Sequence, residues 1–277
     1  MRILAINDIS CVGKCSLTVA LPIISACGIT CDVLPTALLS THTGGFEGYT
    51  FRDLSEDIPS ILAHWKKLGL SFDFIYSGYL GNISQIDTVL SVKKNFLAPH
   101  GKFVVDPVMG DGGKLYAHFN FHFVEKMRAL CSEADFILPN VTEACLLAGE
   151  NYPQNGEALP AEKIVQKLSS LHTCPIVTGV EEGEENAVYY TKENRVLRHA
   201  EKNAAGFFHG AGGVFAAAFT GCLARGKTLD EAICLSADFT TSSIFRTAAA
   251  NGDRRYGLEF EAEIFPFLEK LNGKIRK

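Results

Sequence analysis

The stretch KFVVDPVMGDGG (residues 102–113) joins a run of β-branched and aromatic residues to an acidic, glycine-rich loop. The composition of its first half is typical of a buried strand. Its second half follows with two carboxylates, Asp106 and Asp111, five residues apart. Hard oxygen ligands suit Mg²⁺, which usually binds one or two carboxylates together with phosphates and waters. From these residues alone, a turn capped by aspartates is an equally good interpretation.

Similar strand–loop–helix units extend from this stretch toward both ends of the chain. Apolar runs predict strands at residues 2–6, 31–39 (broken by Pro35), 72–80, 102–108, 134–140 and 174–180, and a hairpin at 187–200. Helical spacing predicts helices at residues 16–27, 53–68, 84–97, 121–131, 142–148, 161–171 and 229–247, and a long helix after Gly213. This alternation indicates an α/β fold with a mostly parallel sheet and helices on both faces. We expect a single domain over residues 1–277, since no linker or internal repeat interrupts the pattern.

Composition excludes several classes of protein. Of 277 residues, 47% are hydrophobic and 21% are charged, which is typical of a folded globular protein. The net charge is −5 and the basic residues are scattered, so nothing indicates nucleic-acid binding. No apolar run reaches the roughly 18 residues that span a membrane, and the N-terminus predicts a buried strand instead of a signal peptide. The nine cysteines complete no zinc-binding set, which favours thiols in a reducing cytoplasm.

Polar residues follow four of the predicted strands. These are Asn7 and Asp8, the loop 109–114, the segment 140–143, and Thr178 with Gly179. Ligands of parallel sheets bind beyond the carboxyl ends of the strands, so these residues should meet at one rim. Taken singly, Asn140 has the default interpretation of a helix N-cap, and Glu143 that of a favourable charge in the first helical turn.

A second glycine-rich segment, GFFHGAGG (residues 206–213), precedes an apolar helix. Small residues at a helix start let backbone N–H groups approach an anion, which the helix dipole also favours. The alternative is a flexible loop where the helix packs closely on the sheet. The segment is therefore a candidate phosphate site.

The order of these motifs resembles that of the ribokinase-type superfamily. The matching motifs are DPVMGD (106–111), Asn140-x-x-Glu143, Thr178-Gly179 and GAG (210–212). Within that superfamily, STHTGG (40–45) and SGY (77–79) are similar to the substrate segments of pyridoxal (vitamin B6) kinases, and the glycine-rich N-terminal motif of hydroxymethylpyrimidine kinases is absent. The resemblance implies a single-domain, three-layer α/β fold. It also implies an ATP-dependent kinase acting on the hydroxymethyl group of pyridoxal, pyridoxamine or pyridoxine.

The resemblance further implies a role for each matching residue. It assigns vitamer binding to Asp8, His42, Thr43 and Tyr79; metal binding to Asp106, Asp111 and Glu143; nucleotide binding to Asn140, Thr178, Gly179, Gly210 and Gly212, with residues 238–247 beside adenine; and the catalytic loop to Gly210, Ala211, Gly212 and Gly213. It implies Mg²⁺, a monovalent cation, a cytoplasmic homodimer and no nucleic-acid or membrane partner. Asp8 stands where pyridoxal kinases usually carry serine, and its charge predicts a preference for an amine-bearing substrate such as pyridoxamine.

One motif departs from the family pattern. Where that pattern is Gly-Thr-Gly-Asp, this chain has Gly210-Ala211-Gly212-Gly213. The resemblance makes the missing Asp the base that removes the proton of the attacking hydroxyl. Gly213 cannot do this, so we expect slowed chemistry, with His209 as the nearest titratable substitute and a solvent-facing loop histidine as its simpler interpretation. The alternatives are a non-catalytic protein that binds nucleotide or vitamer, and a relative of the hydroxymethylpyrimidine kinases.

Overall fold

The computed structural model describes residues 1–154, 157–204, 206–250 and 252–273. Its strands are β1 (Arg2–Val12), β2 (Thr30–Thr41), β3 (Phe51–Asp53), β4 (Phe72–Ser77), β5 (Leu97–Val105), β6 (Gly110–Asp111), β7 (Lys114–Leu115), β8 (Phe136–Ile137), β9 (Cys174–Glu182), β10 (Glu185–Lys192) and β11 (Arg195–Lys202). Its α-helices are α1 (Leu17–Ala26), α2 (Ile58–Lys67), α3 (Ile83–Phe96), α4 (Phe121–Cys131), α5 (Val141–Ala148), α6 (Ala161–Ser169), α7 (Ala211–Ala224), α8 (Leu229–Ala249) and α9 (Ile264–Leu271). Short 3₁₀ turns cover Arg254–Tyr256 and Glu261–Glu263.

One large sheet organises these elements. Its strand order is β11-β10-β9-β8-β5-β4-β1-β2-β3, and the six strands from β9 to β2 run parallel. The edge strands β3, β10 and β11 pair antiparallel with their neighbours, while β6 and β7 form a separate two-stranded ribbon. The predicted α/β class with a mostly parallel sheet is confirmed. None of the helices in the described ranges is long and apolar enough to cross a membrane.

Alternation along the central strands fills a core on each face of the sheet. Ile3 and Ala5 of β1 pack in one apolar cluster with α1, α7 and α8, and Leu4 and Ile6 pack in the other with α3 to α6. A strand buried on both faces is expected where helices cover both sides of a parallel sheet. The helix α7 is buried nearly all round, from Val214 to Cys222. Its N-terminus is therefore held firmly at the sheet edge.

Several predicted bounds differ from the structure for identifiable reasons. Strand β2 continues through Pro35, because the β1–β2 register shifts there and the missing N–H interrupts no regular ladder. Helix α2 begins at Ile58 and not at Asp53, since the Asp53 carboxylate accepts hydrogen bonds from the backbone and hydroxyl of Ser55 and so forms a local turn. The strand predicted at 134–140 is regular only over β8, and Pro139 cannot donate a ladder hydrogen bond.

Candidate functional site

Asn7 and Asp8 lie within β1 and not after it as predicted, because β1 continues beside β2 beyond its last pairing with β4. The side chain of Asn7 joins this part of β1 to the segment that follows β4. Its Oδ1 accepts hydrogen bonds from the backbone N–H of Tyr79 at 2.8 Å and of Asp8 at 3.1 Å. A Cβ at Gly78 would lie 2.2 Å from Asn7 Nδ2, so only glycine fits between Ser77 and Tyr79. The side chain of Tyr79 is half-buried, and burial raises its pKa to about 12. Tyr79 is therefore an uncharged phenol at physiological pH, held beside Asn7.

Asp8 is almost completely buried within β1, ahead of the turn that leads to α1, with 4% of its surface exposed. Its carboxylate accepts hydrogen bonds from the hydroxyls of Ser16 and Ser10. Burial raises the pKa of Asp8, and the two hydroxyls oppose that rise. In the described part of the chain, no Lys, Arg or His forms an ion pair with it. Asp8 is thus a buried carboxylate that lacks a cationic partner.

His42 is fixed in one neutral tautomer above this turn. Its Nε2 is 2.5 Å from the backbone oxygen of Arg255, and its Nδ1 accepts from the N–H of Gly44 at 3.1 Å. A carbonyl accepts and an amide donates, so the ring proton lies on Nε2. Thr43, the next residue, is exposed. Segment 42–45 therefore combines an anchored histidine with a surface threonine.

The acidic loop after β5 is docked on the N-terminus of α5. Glu143 accepts hydrogen bonds from the backbone N–H of Met109 at 3.0 Å and of Asn140 at 2.9 Å. Asn140 in turn caps Glu143 and donates from Nδ2 to the carbonyl of Gly110 at 2.9 Å. The helix-cap interpretation of this pair is therefore present in the structure, and the same contacts join residues 140–143 to residues 106–111.

Asp106 and Glu143 are two buried carboxylates near each other. Burial raises the pKa of Asp106. Burial raises the pKa of Glu143, and the charge of Asp106 raises it further. The hydrogen bonds that Glu143 accepts from backbone N–H groups oppose this rise. Nothing within the described residues donates a hydrogen bond to the Asp106 carboxylate. Asp111 is less buried, and its Oδ1 accepts from the N–H of Gly112 at 2.7 Å.

These carboxylates fit one type of metal site and not another. Across the described ranges, no three His, Cys, Asp or Glu side chains form a group that could enclose an ion. An all-protein metal cage is therefore not built here. A buried, unpartnered Asp106 with Asp111 on the adjacent loop does fit Mg²⁺, which usually takes one or two carboxylates and completes its shell with phosphates and waters.

The strands β8 and β9 bring their polar residues side by side. Asn140 and Thr178 form an isolated parallel bridge, and the N–H of Thr178 donates to the carbonyl of Pro139 at 3.0 Å. Gly179 follows at φ +76°, exposed, with no atom within 4 Å of the position of a Cβ. The structure therefore places Asn140, Thr178 and Gly179 together on the same rim.

The glycine-rich segment ends in the first turn of α7. Gly210 is its N-cap at φ +82°, and a Cβ there would lie 2.6 Å from the carbonyl oxygen of Lys14. Ala211, Gly212 and Gly213 follow as the first three helical residues. The first N–H groups of a helix have no partner within the helix, and the dipole makes that end favourable for an anion. Gly210 therefore allows the β1–α1 turn to approach this N-terminus closely.

We predict opposite effects on stability for two neighbouring glycines. Gly210→Ala should lower the free energy of unfolding by about 2–4 kcal/mol, because the new methyl adds backbone strain and overlaps the Lys14 carbonyl. Gly212→Ala should raise it by at most about 1 kcal/mol, since nothing lies within 4 Å and alanine favours the helix. Thermal denaturation without ligand measures both, and equal effects of the two substitutions would contradict the assigned role of Gly210.

The sequence prediction missed two residues near this rim. Tyr116 donates its backbone N–H to the carbonyl of Met109 at 3.0 Å, and burial followed by the charges of Glu143, Asp111 and Asp106 raises the pKa of its phenol. Arg255 lies with its guanidinium 5.2 Å from the ring centre of Phe46 and donates to the carbonyl of Gly45 at 3.3 Å. Both residues lie in segments without periodicity, so no sequence signal pointed to them.

Comparison with known proteins places this chain in a family. The family model described as phosphomethylpyrimidine kinase matches residues 24–257. A Bacteroides thetaiotaomicron protein classed with the phosphomethylpyrimidine kinases is 35% identical, with a TM-score of 0.92 over 100% of this chain and 95% of that one. An orthorhombic crystal form of the same protein with pyridoxal has a TM-score of 0.90, over 96% of this chain and 95% of that one.

Two further relatives are named as pyridoxal kinases. The structure of pyridoxal kinase from Lactobacillus plantarum is 31% identical, with a TM-score of 0.91 over 99% of each chain. A pyridoxal kinase of Rubrobacter xylanophilus is 28% identical, over 89% of this chain and 88% of that protein.

Proposed function

This chain belongs to the phosphomethylpyrimidine kinase family and is a relative of pyridoxal kinases, and from that premise we propose that it transfers the γ-phosphoryl group of ATP to the hydroxymethyl group of a B6 vitamer. The observation that carries the proposal most is the likeness to a pyridoxal kinase over 99% of each chain. The polar residues on or after four neighbouring strands, together with the N-terminus of α7, support it. The phosphoryl donor and the acceptor hydroxyl both need such a rim, because phosphoryl transfer depends on positioning and electrostatic stabilisation.

Each part of the rim has a proposed task. The N–H groups of residues 211–213 and the rim at Asn140, Thr178 and Gly179 hold the nucleotide phosphates. His42, Thr43, Tyr79 and Asp8 hold the vitamer. The Asn7 and Glu143 hydrogen bonds keep these loops in position, so that donor and acceptor approach in a fixed geometry.

We propose that Mg²⁺ is held by Asp106 with Asp111, and that Glu143 acts beside them. When bound, the ion supplies neutralisation of the charge on the phosphate oxygens. A cation would also offset the burial of the Asp106 carboxylate, which has no donor in the described part of the chain. The proposed monovalent cation rests on the resemblance alone.

A second candidate function has one specific observation in its favour. Gly213 has no side chain where the family carries a base, so a non-catalytic protein that binds nucleotide and vitamer would fit the same rim. Two measurements separate the candidates: a coupled assay of ADP release with pyridoxal, pyridoxamine, pyridoxine and hydroxymethylpyrimidine, and calorimetric titration of each compound beside a non-hydrolysable ATP analogue. Turnover with a B6 vitamer supports the kinase. Binding without any turnover contradicts it, and turnover of hydroxymethylpyrimidine alone would assign the other substrate class.

We predict that Asp8→Ser lowers any preference for pyridoxamine over pyridoxal by about tenfold. A buried carboxylate without a cationic partner gains from a charge-assisted hydrogen bond to an ammonium group, worth roughly 1.5–3 kcal/mol. The measurement is the ratio of kcat/KM for the two vitamers. Equal loss for both would mean that Asp8 only supports the turn through Ser16 and Ser10.

The resemblance also supports a homodimer in the cytoplasm. Light scattering of the purified chain measures the oligomeric state directly. Every cysteine in the described ranges is a free thiol, as a reducing compartment favours.

A further inference from the structure

We propose that His209 is the general base of this chain and takes the proton from the vitamer hydroxyl that Gly213 cannot take. The inference rests on the proposed kinase function. It goes beyond that function because it assigns a second residue to a step for which the chain lacks the family's own group. It concerns one imidazole that lies between the loop carrying His42 and the first turn of α7.

The geometry places His209 between the two proposed substrates. It directly precedes Gly210, the N-cap of α7, whose N-terminus is the proposed phosphate site. On its other side, a Cβ built on Gly44 would lie 2.7 Å from His209 Nδ1, and one built on Gly45 would lie 3.4 Å from Nε2. The imidazole thus packs on the glycine backbone that follows His42 and Thr43. A hydroxyl reaching from the vitamer toward a phosphate at α7 would pass this ring.

The ring nitrogens of His209 have no hydrogen-bond partner among the described residues. Both nitrogens of His42, by contrast, are engaged. The ring centres of His42 and His209 are 5.5 Å apart. The ring of Phe207 packs edge-on against that of His209, with 4.7 Å between the ring centres. A half-buried imidazole with free nitrogens, held by aromatic contacts and glycine backbone, is prepared to accept a proton.

Burial keeps His209 neutral, because it lowers the pKa of the imidazole below its ordinary value. Asp111 and Asp253 oppose this, and the guanidinium of Arg255, which is itself paired with Asp253, lies beside Gly45 on the same side. The net direction leaves the imidazole unprotonated at pH 7, as a base requires.

The step is balanced within the proposed reaction. As the hydroxymethyl oxygen forms its bond to the γ-phosphorus, the bond from that phosphorus to the β-phosphate oxygen breaks and ADP leaves. The hydroxyl proton passes to a ring nitrogen of His209. The resulting imidazolium releases that proton to solvent, which restores the neutral base without any further reactant.

The test compares His209→Gln in two backgrounds. In the unaltered chain, the substitution should lower kcat by about 10²-fold or more, because the proposed base is lost. In the Gly213→Asp chain it should lower kcat only a few-fold, since an aspartate then takes the proton. His199→Gln serves as the matched control, because His199 lies on β11 and pairs with Glu201 away from the rim. The acidic limb of the pH–kcat profile should follow the His209 pKa in the unaltered chain and move to lower pH in the Gly213→Asp chain.

The outcomes separate this inference from the proposed function. Equal losses from His209→Gln in both backgrounds would mean a structural role and would overturn the base assignment. An unchanged kcat would overturn it as well, while leaving the kinase in place. A complete lack of turnover by the unaltered chain, with binding intact, would overturn both. Recovery of His209→Ala activity by added imidazole, with no change in the activity of His199→Gln, would support the assignment.

Discussion

The Gly213→Asp variant should turn over B6 vitamers faster than the unaltered chain by about 10²-fold, at the lower end of the ~10²–10⁴ typical of a general base. The gain is in kcat, because the new carboxylate accepts the hydroxyl proton as the bond to phosphorus forms and so stabilises the transition state more than the bound vitamer. In the His209→Gln background, where the proposed base has been removed, the same substitution should approach the upper end of that range.

The backbone accepts an aspartate at position 213 without strain. Gly213 lies in the first turn of α7 with ordinary helical φ, and no atom lies within 4 Å of the position of its Cβ. A carboxylate in a first helical turn is also electrostatically favourable by about 0.3–1 kcal/mol. The melting temperature should therefore stay constant or rise slightly. A gain in kcat without a change in stability would indicate that the carboxylate acts in the reaction and does not act by stabilising the fold.

Gly213→Asn is the matched control for this prediction. Asparagine has the same shape and the same effect on the helix backbone, but its amide cannot accept a proton as a carboxylate does. It should leave kcat within a few-fold of the unaltered chain. If aspartate and asparagine have the same effect, or if aspartate brings no gain, then Gly213 does not occupy the position of the family's base.

The fold was predictable because strand and helix periodicities differ and because burial on both faces leaves long apolar runs. The bounds of the helices and strands were less predictable, since they depend on contacts with residues distant in sequence. The start of α2 is an example. The carboxylate of Asp53 accepts hydrogen bonds from Asn82 and Gln85, which follow β4 in the sequence, and these contacts hold Asp53 outside the helix. The passage of β2 through Pro35 likewise depends on the register against β1.

The composition of the rim was partly predictable for a similar reason. The carboxyl ends of parallel strands must meet at one edge, so Asn7, Asp106 and Asn140 could be brought together from sequence order. The direction of each side chain could not be predicted from sequence order. Glu143 proves to be bound by two backbone N–H groups, and Tyr116 lies among the acidic residues, although nothing in its own segment marks it.

We expect Asp106→Asn to lower kcat by about 10²–10³-fold while making the ligand-free protein more stable at alkaline pH. The loss of activity follows from the loss of a metal-binding carboxylate, because a bound cation supplies several kcal/mol of charge stabilisation in phosphoryl transfer. The gain in stability follows from the burial of Asp106, whose charge is costly and has no hydrogen-bond donor in the described ranges.

The pH dependence of that gain has a definite sign. The folded-state pKa of Asp106 is raised above that of the unfolded chain. A group of this kind contributes its full stability below the unfolded pKa, and the contribution is lost as the pH rises through the folded pKa. At pH 8 the ionised carboxylate therefore destabilises the fold, and asparagine should raise the free energy of unfolding by on the order of 1–3 kcal/mol. Near pH 4 the two proteins should unfold at similar temperatures.

Asp135→Asn separates this behaviour from a general effect of removing an acidic residue. Asp135 lies just before β8, where its carboxylate accepts hydrogen bonds from Lys102 at 2.8 Å and from the backbone of Phe103 at 2.8 Å. Its replacement should lower stability modestly and leave kcat unchanged, because a partnered carboxylate stabilises the native state. If Asp106→Asn instead lowered stability at pH 8, as we expect of Asp135→Asn, then Asp106 would be a structural anion. The proposed cation site would in that case have to lie elsewhere on the rim.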